Sequence, residues 1–194
     1  GIHIPDEVAN SKWSKRFIAW IESVRMERAS GDMALKVHLS ELSHIRQTIA
    51  ELNRAIRTLS ITDGYRNNVR VLKTVPGISI LTAMTLLTEL YDISRFKTLD
   101  KLCSYVGLIP NTNSSGETDR KTSITGRRNV QLRVVLIESA WTAVRKDPAL
   151  MMSFNELSKH MTKTKAIIRI ARKLLNRIRY VLKHQQEYVP AVIQ

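Results

Sequence analysis

The sequence predicts an all-α, mainly helical protein, in which a long coiled-coil helix precedes a compact helical domain. Three observations carry that prediction. Apolar residues recur every seven positions between Leu35 and Leu59, they recur at steps of three and four elsewhere, and no run of β-branched residues is present to build a doubly wound sheet. The natural division is residues 1–64, an N-terminal helix and a coiled-coil oligomerisation region, and residues 65–194, a compact domain ending in a basic helix.

The first ten residues have no periodic pattern and read as a lead-in. Ser11 is placed to cap a helix running to about Arg28, with Trp13, Phe17, Trp20, Ile21 and Val24 forming one apolar stripe. Ser30, Gly31 and Asp32 read as a break. The heptads follow, with Leu35, Leu42, Ile49 and Ile56 at one seam position and His38, Ile45, Leu52 and Leu59 at the other. His38 is the polar exception, more naturally a register device or a frayed end than a ligand. A lone seam cannot bury itself, so a copy in a second subunit or another segment of this chain must cover it; the reading favours the second subunit. Thr62, Asp63 and Gly64 end the helix.

Shorter helices follow. One ends at Thr74, and Val75-Pro76-Gly77-Ile78 forms a tight turn. A second helix spans Ser79 to Tyr91 with Ile80, Ala83, Met84, Leu87 and Leu90 inward. Thr98 caps a third, from Leu99 to Val106, closed by Gly107. Residues 110–128 are rich in Asn, Ser, Thr and Gly and read as a polar loop with room for a small hairpin. Asn129 caps the next helix, Asp147-Pro148 breaks it and starts another to about His160, and the last helix covers Lys163 to Gln185.

Composition narrows the function. The chain has 194 residues, 31 Lys+Arg against 17 Asp+Glu, and a formal net charge of +14. The excess is concentrated towards the end: residues 1–110 hold 15 basic and 11 acidic side chains, and residues 111–194 hold 16 and 6. Such a field steers a protein towards polyanions, of which nucleic acid is the usual one. A single cysteine excludes an intrachain disulfide and a cysteine-based zinc site. There is no apolar run long enough to span a membrane, and no secretory signal opens the chain. The start at Gly1 suggests a processed or excised fragment.

Three segments carry chemistry. The first, Leu72 to Ala83, resembles a helix-hairpin-helix element, which offers backbone N–H groups at a tight turn to a DNA phosphate. Lys73, Gly77 and Ser79 are its candidate contacts, with Ser79 standing where many such elements have a second glycine; the alternative is an ordinary helix corner. The second is Asn111 to Lys121, where Ser114 and Ser115 precede a glycine and Arg120, Lys121, Arg127 and Arg128 follow. From the residues alone this is a phosphate-binding loop, an exposed nucleophile or a plain polar surface, since an unassisted serine is a poor nucleophile. The third is the last helix, in which Lys163, Lys165, Arg169, Arg172, Lys173, Arg177, Arg179 and Lys183 surround an apolar stripe. Packing combined with DNA or RNA contact is preferred there over a solvated basic back or a membrane-surface helix.

Taken in order, Val75-Pro76-Gly77, Phe96-Lys97, Leu102 to Pro110, Ser114-Ser115-Gly116, Ile124-Thr125 and Asn129 to Arg133 resemble the C-terminal transposase domain of the IS110/IS116/IS902 insertion-sequence family. The resemblance covers about residues 66–148, and the heptads resemble the family's coiled coil less specifically. It implies a site-specific DNA recombinase in which a serine attacks a DNA phosphodiester and holds the strand as a phosphoserine. Ser115 matches the serine directly before the glycine, with Ser114 as runner-up, and Arg120, Lys121 and Arg133 would hold phosphates. The resemblance also implies a homo-oligomer, a guide RNA in some members, and a cytoplasmic, nucleoid-associated protein of a bacterium or archaeon.

Two departures accompany it. The family's basic residue near Gly126 and glycine near Arg128 are exchanged in character. No four-acid, RuvC-like domain precedes the heptads, so no metal ligand is assigned in this chain, and Mg2+ or a similar ion is expected in the domain it lacks. The expectation is the DNA-binding back half of such an enzyme, inactive alone, with a non-catalytic DNA- or RNA-binding adaptor and a structural coiled-coil protein as alternatives.

Overall fold

A computed structural model describes residues 2–10, 12–109, 111–115, 118–122 and 129–190, with the backbone alone at 111–115 and 118–122. The described residues are mainly helical, with one two-stranded antiparallel ladder. The chain separates into two compact units, Gly1–Arg54 and Ala55–Gln194.

In the first unit α1 spans Asp6–Ala9 and α2 spans Lys15–Ser23. The helix expected from a Ser11 cap to Arg28 is therefore shorter at both ends, and α1 forms within the segment read as a lead-in. Trp13 adopts a positive φ of 66°, which a right-handed helix cannot carry, and Ser14 then caps α2 by accepting from Phe17 N at 3.1 Å. Ser11, the expected cap, lies outside the described residues. Phe17 is buried, with Trp13 and Trp20 rings at 6.0 and 5.5 Å.

The helix α3 spans Ala29–Ser60, 32 residues without interruption. Ser30-Gly31-Asp32 is thus its first turn and not a break. Asp32 Oδ1 accepts from Met26 N at 2.6 Å, an acidic group at the positive end of the helix. The break lies just before, at 24–28. Of the seam residues, Ile45, Ile49, Leu52 and Leu59 are exposed, while Leu35, Leu42 and Ile56 are half-buried.

The second unit continues with α4, Arg66–Thr74, and α5, Ile80–Leu90. A 3-10 turn at Ile93–Arg95, not anticipated from the pattern, leads to α6, Leu99–Val106. Thr98 caps α6 as expected, and Gly107 closes it at φ 81°. The polar segment contributes β1, Asn111–Ser115, and β2, Thr118–Thr122, where the sequence had suggested a loop with a small hairpin at most. Their register sets Ser115 opposite Thr118 and Ser114 opposite Asp119.

Next come α7, Val130–Lys146, α8, Pro148–His160, and α9, Lys163–His184. Asn129 Oδ1 accepts from Leu132 N at 3.0 Å, and Asp147 Oδ1 accepts from Leu150 N at 2.9 Å with Pro148 in the first turn of α8. The core is organised on α9, which packs against α4, α6, α7, α8 and the 3-10 turn. Its buried residues run Ala166, Ile167, Ile170, Ala171, Leu174, Leu175, Ile178, Val181 and Leu182, the width of stripe a helix with neighbours on several sides needs. Each fully buried Leu or Ile contributes about 1.5–3 kcal/mol by leaving water. Cys103 is among the buried residues, and its burial raises the thiol pKa.

Candidate nucleic-acid interface

The turn between α4 and α5 is built from the residues that the sequence singled out. Val75 closes α4, Gly77 takes φ +88°, and Ser79 caps α5. Ser79 Oγ accepts from Thr82 N at 3.1 Å and lies 3.0 Å from Thr82 Oγ1. Lys73 and Ser79 are exposed. Gly77 has a reason of its own to lack a side chain: a Cβ there would lie 2.3 Å from the Ser139 carbonyl oxygen and 3.1 Å from Ala143 N. The turn sits directly on the backbone of α7, and its close approach is to that helix.

Between this turn and α7 lies a groove of about 530 Å³. Ser79, Thr82, Ser139 and Thr142 give it a hydroxyl-rich lining, with Glu138 and Lys146 on the α7 side. Arg133 is half-buried on the first turn of α7.

The polar segment enters the fold through a small tied cluster. Asn129 N donates to the Tyr105 carbonyl at 3.1 Å, Asn129 Nδ2 donates to Glu89 Oε2 at 2.6 Å, and Tyr105 OH donates to the Glu89 carbonyl at 3.2 Å. These contacts join the ends of α5, α6 and α7 where the chain returns from the ladder. Ser114 and Ser115 lie on β1, and Arg120 and Lys121 lie on β2 opposite Asn113 and Thr112. Arg127 and Arg128 lie outside the described residues.

The cations of α9 divide into two groups. Arg172 pairs with Asp100, Lys173 Nζ donates to Ser153 Oγ at 2.8 Å, Arg177 donates to Asp147 Oδ2 at 2.8 Å, and Arg179 donates to the Lys97 carbonyl at 3.1 Å. These four tie the domain together. Lys163, Lys165, Arg169 and Lys183 are exposed and have no ion pair with a described residue. Of the α9 residues proposed from sequence for phosphate contact, Lys163 and Arg169 are therefore open to a ligand, whereas Arg172 and Lys173 are already held.

Two arrangements were not legible in the sequence. One surrounds Asp147, where Arg177 and the Tyr188 hydroxyl converge on a buried carboxylate. Burial, and then the bond to Asp147, push the Tyr188 phenol up to about 12. The other is Arg95, whose guanidinium lies 4.6 Å from the Phe96 ring centre and 4.7 Å from that of Tyr105. Among the described residues no group of three or more His, Cys, Asp or Glu side chains is placed to hold a metal, and no helix is long and apolar enough to cross a membrane.

The family model described as Transposase IS116/IS110/IS902 family matches residues 69–155. That stretch begins in α4 and ends in α8, so it contains the turn, the groove and the ladder. An uncharacterized 43.6 kDa protein of insertion element IS110 from Streptomyces coelicolor is 35% identical over 112 residues, 55% of this chain and 26% of the relative. The transposase for insertion sequence element IS1111A from Coxiella burnetii is 34% identical over 73 residues, 38% of this chain and 20% of the relative. A pilin gene-inverting protein from Moraxella bovis is 31% identical over 138 residues, 69% of this chain and 43% of the relative. The chain spans less than half the length of the curated relatives it matches.

Proposed function

Because the chain belongs to the IS116/IS110/IS902 transposase family, we propose that it is the DNA-binding portion of a transposase that joins a DNA strand to Ser115. The match of residues 69–155 carries this reading, since it takes in both the α4–α5 turn and the ladder bearing Ser115. Residues 65–194 form the DNA-binding part and residues 1–64 the oligomerising part.

The roles follow from chemistry. Backbone N–H groups after Gly77 and the exposed Lys73 take a phosphate at the turn, in the manner of a helix-hairpin-helix element. Lys163, Lys165 and Arg169 take phosphates along α9. At the ladder, Ser115 Oγ attacks a DNA phosphorus. A new Oγ–P bond forms, one bridging deoxyribose oxygen leaves and takes up a proton, and the serine proton passes to a base. Arg120, Lys121 and Arg127 relieve charge on the non-bridging oxygens. The metal that the family implies has no donor set among the described residues, and no step here is routed through it. The seam of α3, exposed at Ile45, Ile49 and Leu52, supports pairing with a second copy.

The test has two parts. Duplex DNA binding by this chain should fall steeply with added salt, by orders of magnitude between low and physiological ionic strength; weak, salt-indifferent binding rejects the reading. In an enzyme assembled with a RuvC-like acidic domain, a denaturing gel with labelled DNA should show a covalent adduct that Ser115→Ala abolishes. An adduct that persists in Ser115→Ala rejects the assignment, and loss in Ser114→Ala instead moves the nucleophile one residue upstream.

A further inference from the structure

Tyr91 and Arg95 lie on the connection between α5 and α6, and Tyr105 lies on α6. Tyr91 ends α5 at φ 58° and ψ −78°, a positive-φ conformation outside the left-handed helical region that a bulky residue adopts only under strain. Its backbone N–H still donates to Leu87 O at 3.0 Å, so the helix end holds it there. Little is gained by packing in exchange, because Tyr91 is 89% exposed and its side chain has no ring or hydrogen-bond partner among the described residues.

Glycine, with no Cβ, would occupy that position at lower cost. The ring is displayed to solvent, and Arg95, four residues on in the chain, belongs to a second planar surface. Phe96 and Tyr105 have ring centres 5.3 Å apart, and the exposed guanidinium of Arg95 lies over both. Phe96 is buried, so this layer is anchored in the core. Lys97 and Lys101 add exposed positive charge beside it.

Position gives the layer its meaning. Tyr105 OH bonds the carbonyl of Glu89, two residues before Tyr91, and the Tyr105 carbonyl receives Asn129 N, where the chain returns from the ladder of Ser115. Aromatic faces and guanidinium planes stack on nucleobases, and only an unpaired base has a free face to offer. We propose that Tyr91, Arg95 and Tyr105 form a stacking site for an unpaired base of single-stranded DNA beside the strand handled at the ladder. This rests on the DNA-binding reading above and adds to it a preference for an opened duplex.

The experiment measures fluorescence anisotropy of the full chain with a labelled oligothymidylate, an oligouridylate and a duplex of the same length. Tyr91→Gly should weaken oligothymidylate binding about tenfold, the value of one lost stack, and leave duplex binding unchanged. Tyr91→Trp should bind the single strand as tightly as the wild type. Because Tyr91→Gly also relieves the backbone, its melting temperature should rise as its affinity falls. Wild-type affinity in Tyr91→Gly, or a fall in melting temperature together with affinity for every probe, overturns the site. Loss confined to the oligouridylate overturns DNA as its ligand. Either failure with steep salt-dependent duplex binding intact leaves the broader function standing, while binding to no probe by the wild type removes both.

Discussion

Asp147 and Arg177 meet at 2.8 Å with the carboxylate wholly withdrawn from solvent and the arginine about one-fifth exposed. The same carboxylate caps α8 through Leu150 N and receives the Tyr188 hydroxyl at 2.7 Å. The guanidinium also lies 5.0 Å from the Tyr188 ring centre. One side chain thus joins the α7–α8 corner, α9 and the segment after α9. That segment turns back at Gln185, φ 53°, and is held to α4 by the bond from Tyr188 N to Thr74 Oγ1 and by the Arg70–Glu187 pair.

Removing Asp147 leaves Arg177 partly buried without its charge partner and uncaps α8. Asp147→Ala should destabilise the chain by about 3–5 kcal/mol, as breaking a buried pair does. Asp147→Asn keeps the cap and should cost less. Urea unfolding followed by circular dichroism measures both, and a loss under about 1 kcal/mol for Asp147→Ala would contradict the account.

The Tyr188 phenol gives a pH dependence of definite sign. Its folded pKa, about 12, lies above the ordinary value of 10.0. The unfolded chain therefore sheds this proton first as pH rises. The stabilisation is complete below pH 10 and is lost as pH climbs towards 12. Stability measured against pH should decline across that window in the wild type, and Tyr188→Phe should remove this part of the decline. The variant should also lose about 1 kcal/mol at neutral pH, with one hydrogen bond.

Gly77→Ala separates structure from ligand binding at the α4–α5 turn. The added Cβ meets the Ser139 carbonyl at 2.3 Å in a backbone conformation at φ +88°. The expected loss is about 3 kcal/mol from strain and the displaced helix together. Thermal unfolding without DNA detects it. An unaltered melting temperature with weakened DNA binding would show instead that the glycine serves the phosphate alone.

Helix caps and helix faces were legible because they are local. Thr98 and Asn129 cap the helices expected of them, since a short oxygen-bearing side chain before an apolar period needs no distant partner, and Ser79 and Asp147, read only as helix boundaries, cap α5 and α8 for the same reason. Ser11 was the wrong choice for α2 because the positive φ of Trp13 leaves no sequence signal. The ladder was only half visible: alternation among Asn, Ser and Thr has no apolar face to mark a strand. The division of the α9 cations was hidden for another reason. Arg172 and Lys165 look alike in sequence, and only the tertiary position of Asp100 separates a structural arginine from an open lysine. The Arg95 layer likewise depends on Tyr105 arriving from another helix.

That division predicts unequal effects on DNA binding. Lys165→Gln and Arg169→Gln should each lower the salt slope of duplex binding by about one and leave unfolding unchanged, because each removes a phosphate contact from an exposed position. Arg177→Gln should destabilise the fold and leave the slope as it was. Equal slopes for the wild type and the Lys165→Gln/Arg169→Gln double variant would place the DNA elsewhere.

The seam of α3 gives the assembly prediction. Ile49 is 53% exposed and Leu52 59%, on an uninterrupted helix whose apolar positions recur every seven residues. A charge at Ile49 therefore meets water within one chain, and Ile49→Asp should leave helix content almost unchanged. In a paired seam the same carboxylate would be buried without a partner, which costs several kcal/mol per copy or forces the copies apart. Sedimentation equilibrium should give an oligomer for the wild type and a monomer for Ile49→Asp, while circular dichroism of the two stays alike. A wild-type monomer at tens of micromolar would reject pairing through this seam. An oligomer that survives Ile49→Asp would move the interface to another surface.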